Sequence, residues 1–165
     1  MLTQAAYEKL QSFVTAKKYR QRILKFIYKI LPVFVFVSYP LLLLYVLLKR
    51  SDHLLRCITV PLGVFATVTL IRRFLNFRRP YEQLKITPLF PKDTKGKSFP
   101  SRHTACAAVI AMTFLYVNVP FGAVFLVVAA LIAGSRVIAG VHYPRDVIAG
   151  FLYSVVMASI FFYIL

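Results

Sequence analysis

At 165 residues the chain has room for one domain, yet 59% of it is hydrophobic and its mean hydropathy is +0.72. A soluble domain is roughly 45–50% apolar, so an ordinary soluble globule is excluded. The formal charge of +16 comes from 21 Lys and Arg against 5 Asp and Glu. These cations lie between apolar runs and not on one soluble basic face, which argues against nucleic acid and for anionic lipid headgroups or a phosphorylated substrate.

Residues 1–29 are polar and basic. Lys18, Arg22, Lys25 and Lys29 recur at spacings of four, three and four, while Leu24, Ile27 and Leu31 fall on another face. The pattern predicts a basic amphipathic N-terminal segment lying at the membrane interface, ahead of a transmembrane domain over residues 30–165. The first span covers about Ile30 to Leu48, which is 19 residues without a charge. It ends at Lys49-Arg50 with no small-residue cleavage pattern, so it is expected to remain as an anchor. Pro32 and Pro40 within it are tolerable in a lipid-embedded helix. A polar turn over Lys49–Arg56 leads to a second span, Leu54–Leu75. A loop with Pro80, Pro88, Pro91 and Gly96 as breakers follows, about Asn76–Pro100.

Thr104 to Ser135 is one uncharged stretch of 32 residues with Asn118-Val119-Pro120 near its middle. That is too long for one span of roughly 20 residues, so it predicts a helical hairpin turning at Asn118–Pro120. The fifth span runs from Pro144 to Leu165, with Pro144 suited to a first helical turn. The expected fold is therefore an all-α membrane bundle of about five transmembrane helices. Cys57 and Cys106 both lie inside apolar runs and read as small buried hydrophobes, and no zinc or disulfide spacing is present.

Five spans bring four helix ends to one membrane face: the end of the second, the start of the third, the end of the fourth and the start of the fifth. The unusual polar residues cluster there. Arg72 and Arg79 stand seven apart, two helical turns, and share a face if the helix continues that far. Arg102 and Arg136 add two more guanidinium forks suited to phosphate oxygens. Ser101 opens a helix whose first N–H groups form an anion site. His142 precedes Asp146 by four residues, so the carboxylate can fix the imidazole tautomer and leave the other ring nitrogen as a nucleophile. His103 remains free for proton transfer to a leaving oxygen and from water. The other acids, Glu8, Asp52, Glu82 and Asp93, form no cluster for a metal.

In order, Arg72-(six residues)-Arg79-Pro80, Pro100-Ser101-Arg102-His103 and Ser135-Arg136-(five residues)-His142-(three residues)-Asp146 resemble the three motifs of the type 2 phosphatidic acid phosphatase superfamily: K-x6-R-P, P-S-G-H and S-R-x5-H-x3-D. The resemblance spans residues 72 to 146. It departs twice, with Arg72 at the usual Lys and Arg102 at the usual Gly. It implies that His142 forms a phosphohistidine, that His103 is the general acid, and that Asp146 orients His142. Arg72, Arg79, Ser101 and Arg136 would bind phosphoryl oxygens. No metal or cofactor is implied. Membrane members commonly have six spans, and five are expected here. The soluble vanadate-dependent haloperoxidases share these motifs, but the apolar spans argue against that branch.

The function so implied is hydrolysis of a lipid phosphomonoester or diphosphate, of the phosphatidic acid, phosphatidylglycerol phosphate or polyprenyl diphosphate class. The alternative is a non-catalytic membrane protein that binds anionic lipid with the same cage. A transporter would be expected to carry ionisable groups at mid-membrane, and the uncharged cores of spans one, three, four and five have none. The expected partners are a lipid phosphate and the surrounding lipids; oligomeric state is silent. The resemblance puts the site on the extracytoplasmic face of the cell membrane. The positive-inside rule points the other way, because 18 of the 21 Lys and Arg fall on the site's side.

Overall fold

The computed structural model describes residues 2–164, so the predicted end of the last span at Leu165 lies outside the described residues. Among them every regular element is helical. Helix α1 covers Gln4–Thr15 and α2 covers Lys18–Lys25. Through a π-helical turn at Phe26–Ile30, α2 continues into α3, Leu31–Leu48. The boundary expected after residue 29 thus interrupts no helix: the basic stripe and the first span form one helix of 31 residues. Helix α4 is Leu54–Leu75, α5 is the short turn Pro80–Gln83, α6 is Arg102–Val117, α7 is Val119–Ile138 and α8 is Pro144–Ser159. A π-helical segment, Ile160–Ile164, extends α8.

Among the described residues four helices are long and apolar enough to cross a membrane: those containing α2–α3, α4, α7 and α8. The fifth apolar helix, α6, has 16 residues. At 1.5 Å per residue it is about 24 Å long, short of a hydrocarbon core of about 30 Å. It compensates by being central, since every residue from Thr104 to Thr113 is buried. Ala107, Ala108, Ile110 and Ala111 pack on Phe125, Ala129 and Ile132 of α7 and Val35 of α3. Ala105, Val109 and Met112 pack on Val60, Val64 and Val68 of α4 and on Ala158 and Phe162 at the end of the chain. Small side chains let helices approach closely where the hydrophobic effect between them is absent. Gly150 of α8 is the clearest case: a Cβ there would come within 2.7 Å of the Ser101 carbonyl. The outward faces carry Leu55, Leu62, Val127 and Leu152, all exposed, as suits helices bathed in lipid.

The hairpin turns where expected. Asn118 ends α6 and caps α7, its Oδ1 accepting from the Phe121 N–H at 3.2 Å. Helix α4, in contrast, does not continue to Arg79. It stops at Leu75, because Asn76 takes a left-handed conformation (φ 41°) and closes the helix. Arg72 and Arg79 therefore do not share a helix face. Arg79 instead begins α5, and the loop brings it back toward Arg72.

Helix α1 is not a free lead-in. Tyr7 is fully buried among Ile86 and Tyr143, and its hydroxyl donates to the His142 carbonyl at 3.0 Å. Gln11 donates to the Thr87 carbonyl at 3.1 Å. The N-terminal helix is thus clamped onto the same end of the bundle as the predicted site.

Candidate active site

A cavity of about 430 Å³ opens at that end. Its wall takes Thr69, Arg72 and Arg73 from α4, Arg79 from the start of α5, and Lys92, Thr94 and Lys97 from the loop. Arg102 and His103 come from α6, Arg136 from α7, Tyr28 from the first membrane helix, and Val141 and His142 from the α7–α8 connection. Six of the eight residues singled out from the sequence line it. Asp146 and Ser101 stand behind the wall, both fully buried.

Three guanidiniums are buried, and each is aimed by backbone carbonyls. Arg72 Nη1 donates to Pro100 O at 2.6 Å and to Ser98 O at 3.4 Å. Arg79 Nε donates to Gly96 O at 3.0 Å and its Nη1 to Val141 O at 3.2 Å. Arg136 Nη2 donates to Tyr28 O at 3.0 Å, and its guanidinium lies 4.0 Å from the centroid of the Tyr28 ring. Among the described residues none of the three is ion-paired with a carboxylate. The buried Nε of Arg136 has no hydrogen-bond partner among the described residues. Uncompensated buried charge is costly, so the site favours a polyanion that accepts these free donors.

The loop is built to hold this arrangement. Glu82 accepts from the Arg79 N–H at 2.7 Å and from the Gly96 N–H at 2.9 Å. Gly96 and Lys97 both have left-handed φ, 61° and 51°, and the Lys97 N–H donates to Asn76 Oδ1 at 3.2 Å. The reversal turns Ser98 inward. Lys97, Arg73 and Arg102 remain exposed at the mouth, and Lys92 is half-buried. Burial, and then the charges of Arg79 and Arg136, hold the Lys92 ammonium below the ordinary lysine value.

His142 is buried in the wall. Burial pushes its pKa down to about 4, with help from the Arg79 charge and against the opposing negative charge of Asp146, so the imidazole is neutral at physiological pH. Its Nδ1 lies 3.6 Å from Asp146 Oδ2, too far for a hydrogen bond. Ser98 Oγ lies between them, 3.3 Å from Nδ1 and 2.5 Å from Oδ2. The same Oδ2 accepts from the Tyr143 N–H at 3.0 Å, and Arg145 Nε approaches Oδ1 at 3.5 Å. Half-buried His103 has no hydrogen-bond partner among the described residues. Ser101 is occupied structurally: its hydroxyl accepts from Thr104 Oγ1 at 3.0 Å and its N–H donates to the Asp146 carbonyl at 2.8 Å. Sequence reasoning missed Ser98, Tyr28 and Tyr7, none of which has a spacing signature.

A neutral histidine with one nitrogen restrained, a second histidine left free, and a cage of unpaired guanidiniums can together carry out phosphoryl transfer. The model of the PAP2 superfamily matches residues 53–165. The chain belongs to the PAP2 superfamily. An undecaprenyl-diphosphatase of Bacillus subtilis, BcrC, is 31% identical over 84 residues, 51% of this chain and 43% of that protein. An undecaprenyl-diphosphatase of Sulfolobus acidocaldarius is 26% identical over 119 residues, 71% of this chain and 58% of its own length. The chain thus spans about half the length of these curated relatives. Among solved PAP2-like folds, LpxE of Aquifex aeolicus matches with a TM-score of 0.64 at 27% identity, covering 86% of this chain and 93% of that one. A transmembrane PAP2-type phosphatidylglycerolphosphate phosphatase of B. subtilis matches with a TM-score of 0.61, covering 96% and 83%. At 23% identity this second match concerns the fold alone. With its apolar helices and these relatives, the chain is a multi-pass membrane protein of the PAP2 type.

Proposed function

We propose that this PAP2 protein is a membrane lipid-phosphate phosphatase that works through a phosphohistidine on His142 and needs no metal. The observation that carries the reading is the position of neutral, restrained His142 in a wall shared with Arg72, Arg79, Arg136 and His103. With Nδ1 held, Nε2 is the nitrogen with a lone pair. It attacks phosphorus as the bond to the lipid oxygen breaks, while His103 gives that oxygen a proton; burial and the surrounding cations hold free His103 down to about 3, so it takes up that proton together with the anionic substrate, whose charge opposes those cations. His103 then takes a proton from water, the water oxygen attacks the phosphohistidine, and the P–N bond breaks to release inorganic phosphate. The arginines stabilise charge on the equatorial oxygens in both steps. The metal-free reading rests on the wall's own cations, since Arg72, Arg79 and Arg136 supply there the positive charge that a metal would bring to the phosphoryl oxygens.

Among lipid phosphates, a diphosphate suits the cavity best. Three buried guanidiniums can hold one phosphoryl group, and Lys92, Lys97, Arg73 and Arg102 nearer the mouth add charge for a second. Two relatives bear the name undecaprenyl-diphosphatase, which supports the polyprenyl class. Phosphate release is measured in micelles from a polyprenyl diphosphate, phosphatidic acid and phosphatidylglycerol phosphate. Wild type is expected to release phosphate fastest from the diphosphate, with or without EDTA, and His142→Ala to release none above background. Equal release by the two proteins overturns the mechanism, and loss of activity in EDTA overturns the metal-free reading. Saturable binding of the lipids by a wild type that releases no phosphate favours the binding-protein alternative.

The reading also puts the site on the extracytoplasmic face. Tyr7 binds the His142 carbonyl, so the N-terminal helix lies at the same end as the site. A tag ahead of α1 should be labelled by an impermeant reagent in intact cells; protection of that tag would move the site to the cytoplasmic face.

A further inference from the structure

Ser98 lies outside the three sequence motifs, yet it occupies the gap between the two residues those motifs pair. It is fully buried. Its N–H donates to the Phe77 carbonyl at 2.8 Å and its own carbonyl accepts from Arg72, so its backbone is fixed at both ends. Its hydroxyl meets Asp146 Oδ2 on one side and His142 Nδ1 on the other. A carboxylate can only accept, so the hydroxyl proton is directed to Asp146. The hydroxyl oxygen then has only lone pairs to offer His142, and Nδ1 must carry the hydrogen. Nε2 is left with its lone pair in the cavity wall.

We infer that Ser98 is the positioning residue through which Asp146 sets the tautomer of His142. The inference rests on the reading of His142 as nucleophile and changes how that nucleophile is held. The order is His142 Nδ1–H to Ser98 Oγ–H to Asp146 Oδ2, not a direct His–Asp pair. When Nε2 bonds to phosphorus and the lipid oxygen leaves, Nδ1 keeps its proton. The positive charge that develops on the ring is met by the hydroxyl dipole, which is itself oriented by the carboxylate. No proton need move along the chain.

A double-variant cycle tests this. Ser98→Ala is expected to lower kcat by roughly 10²-fold with KM within about threefold, a loss at the lower end of acid–base contributions. Asp146→Asn alone is expected to cost up to roughly 10³-fold, the excess over Ser98→Ala coming from the hold of Asp146 on the Tyr143 N–H and not from a second route to His142. Because both act through one relay, the double variant should fall no more than about threefold below Asp146→Asn. Multiplied losses would mean that Asp146 reaches His142 without Ser98, and would overturn the inference. So would wild-type kcat in Ser98→Ala. In parallel, ¹⁵N spectra of the histidines should show Nδ1 of His142 protonated in wild type and a tautomer mixture in Ser98→Ala; unchanged spectra would also overturn it. A merely structural serine would change thermal stability and leave both the cycle and the tautomer signal alone. If His142→Ala is inactive while Ser98→Ala is fully active, the phosphatase reading stands and only this inference fails.

Discussion

The cavity holds two populations of cations that differ in surroundings more than in type. Arg72, Arg79 and Arg136 are buried, and each is tied to backbone carbonyls. Arg73, Lys97 and Arg102 reach the same cavity from exposed positions. A buried guanidinium with its orientation already set lies in a medium of low effective dielectric and needs no reorganisation when charge develops on a substrate. An exposed one is screened by solvent and salt and must be ordered first. The inner group is therefore suited to the reacting phosphoryl and the outer group to attracting and discriminating the substrate.

The largest effect should come from the inner group. Arg136 is the best probe, because its Nε is buried with no hydrogen-bond partner among the described residues. Arg136→Ala is expected to lower kcat by roughly 10²–10³-fold. Arg136→Lys, which keeps the charge but loses the planar fork and the stacking on Tyr28, should recover little of that. Steady-state phosphate release from folded, monodisperse protein in detergent measures both. Activity within about threefold of wild type in Arg136→Ala would remove the distinction between the two populations.

The two groups were not equally visible in the sequence. Arg72, Arg79, Arg102, Arg136 and both cavity histidines were legible because they sit at helix ends in a spaced pattern, and the hairpin at Asn118 was legible from an uncharged run too long for one span. How Arg79 arrives was not. A seven-residue spacing suggests one continuous helix, but left-handed Asn76 ends it, and a loop pinned by Glu82 returns the side chain. Ser98 was invisible for a related reason: its inward turn depends on Gly96, Lys97 and Asn76 meeting across 21 residues. Tyr7 reaches His142 across 135 residues. Such contacts are set by tertiary packing and leave no local period. Ser101, placed among phosphate ligands by the resemblance, accepts from Thr104 with its hydroxyl and donates its N–H to the Asp146 carbonyl.

A smaller effect is expected from the outer group. Arg102→Gly restores the residue usual in the second motif. Arg102 is exposed, with its guanidinium 5.9 Å from the Phe65 ring centroid. The substitution should leave kcat within about threefold and raise KM by roughly two- to tenfold at low ionic strength, a difference that shrinks with added salt. The rise should be greater for a diphosphate than for a monophosphate lipid. A hundredfold loss of kcat would instead place Arg102 with the inner arginines.

The smallest effect separates the groups without relying on rate at all. Burial holds the His142 pKa at about 4, and among its neighbours Arg79 and Arg72 push it the same way, while Arg102 lies exposed at the mouth, where solvent screens its charge. The acid limb of kcat/KM should therefore lie near pH 4, not near the ordinary histidine value of 6.5. Arg79→Gln removes a positive charge, makes protonation of His142 easier, and should move the limb up by a fraction of a unit even as the rate falls. Arg102→Gly should leave it in place. Using one substrate throughout makes its own ionisation common to all three profiles. Folding must be followed in the same window. Between about pH 4 and 6.5 the unfolded chain binds the His142 proton and the folded one does not, so this contribution to stability is complete above 6.5 and falls as the pH drops toward 4. Full activity on return to pH 7 distinguishes reversible protonation of His142 from unfolding. An acid limb at 6.5 in all three proteins would mean that the inner arginines do not tune the nucleophile.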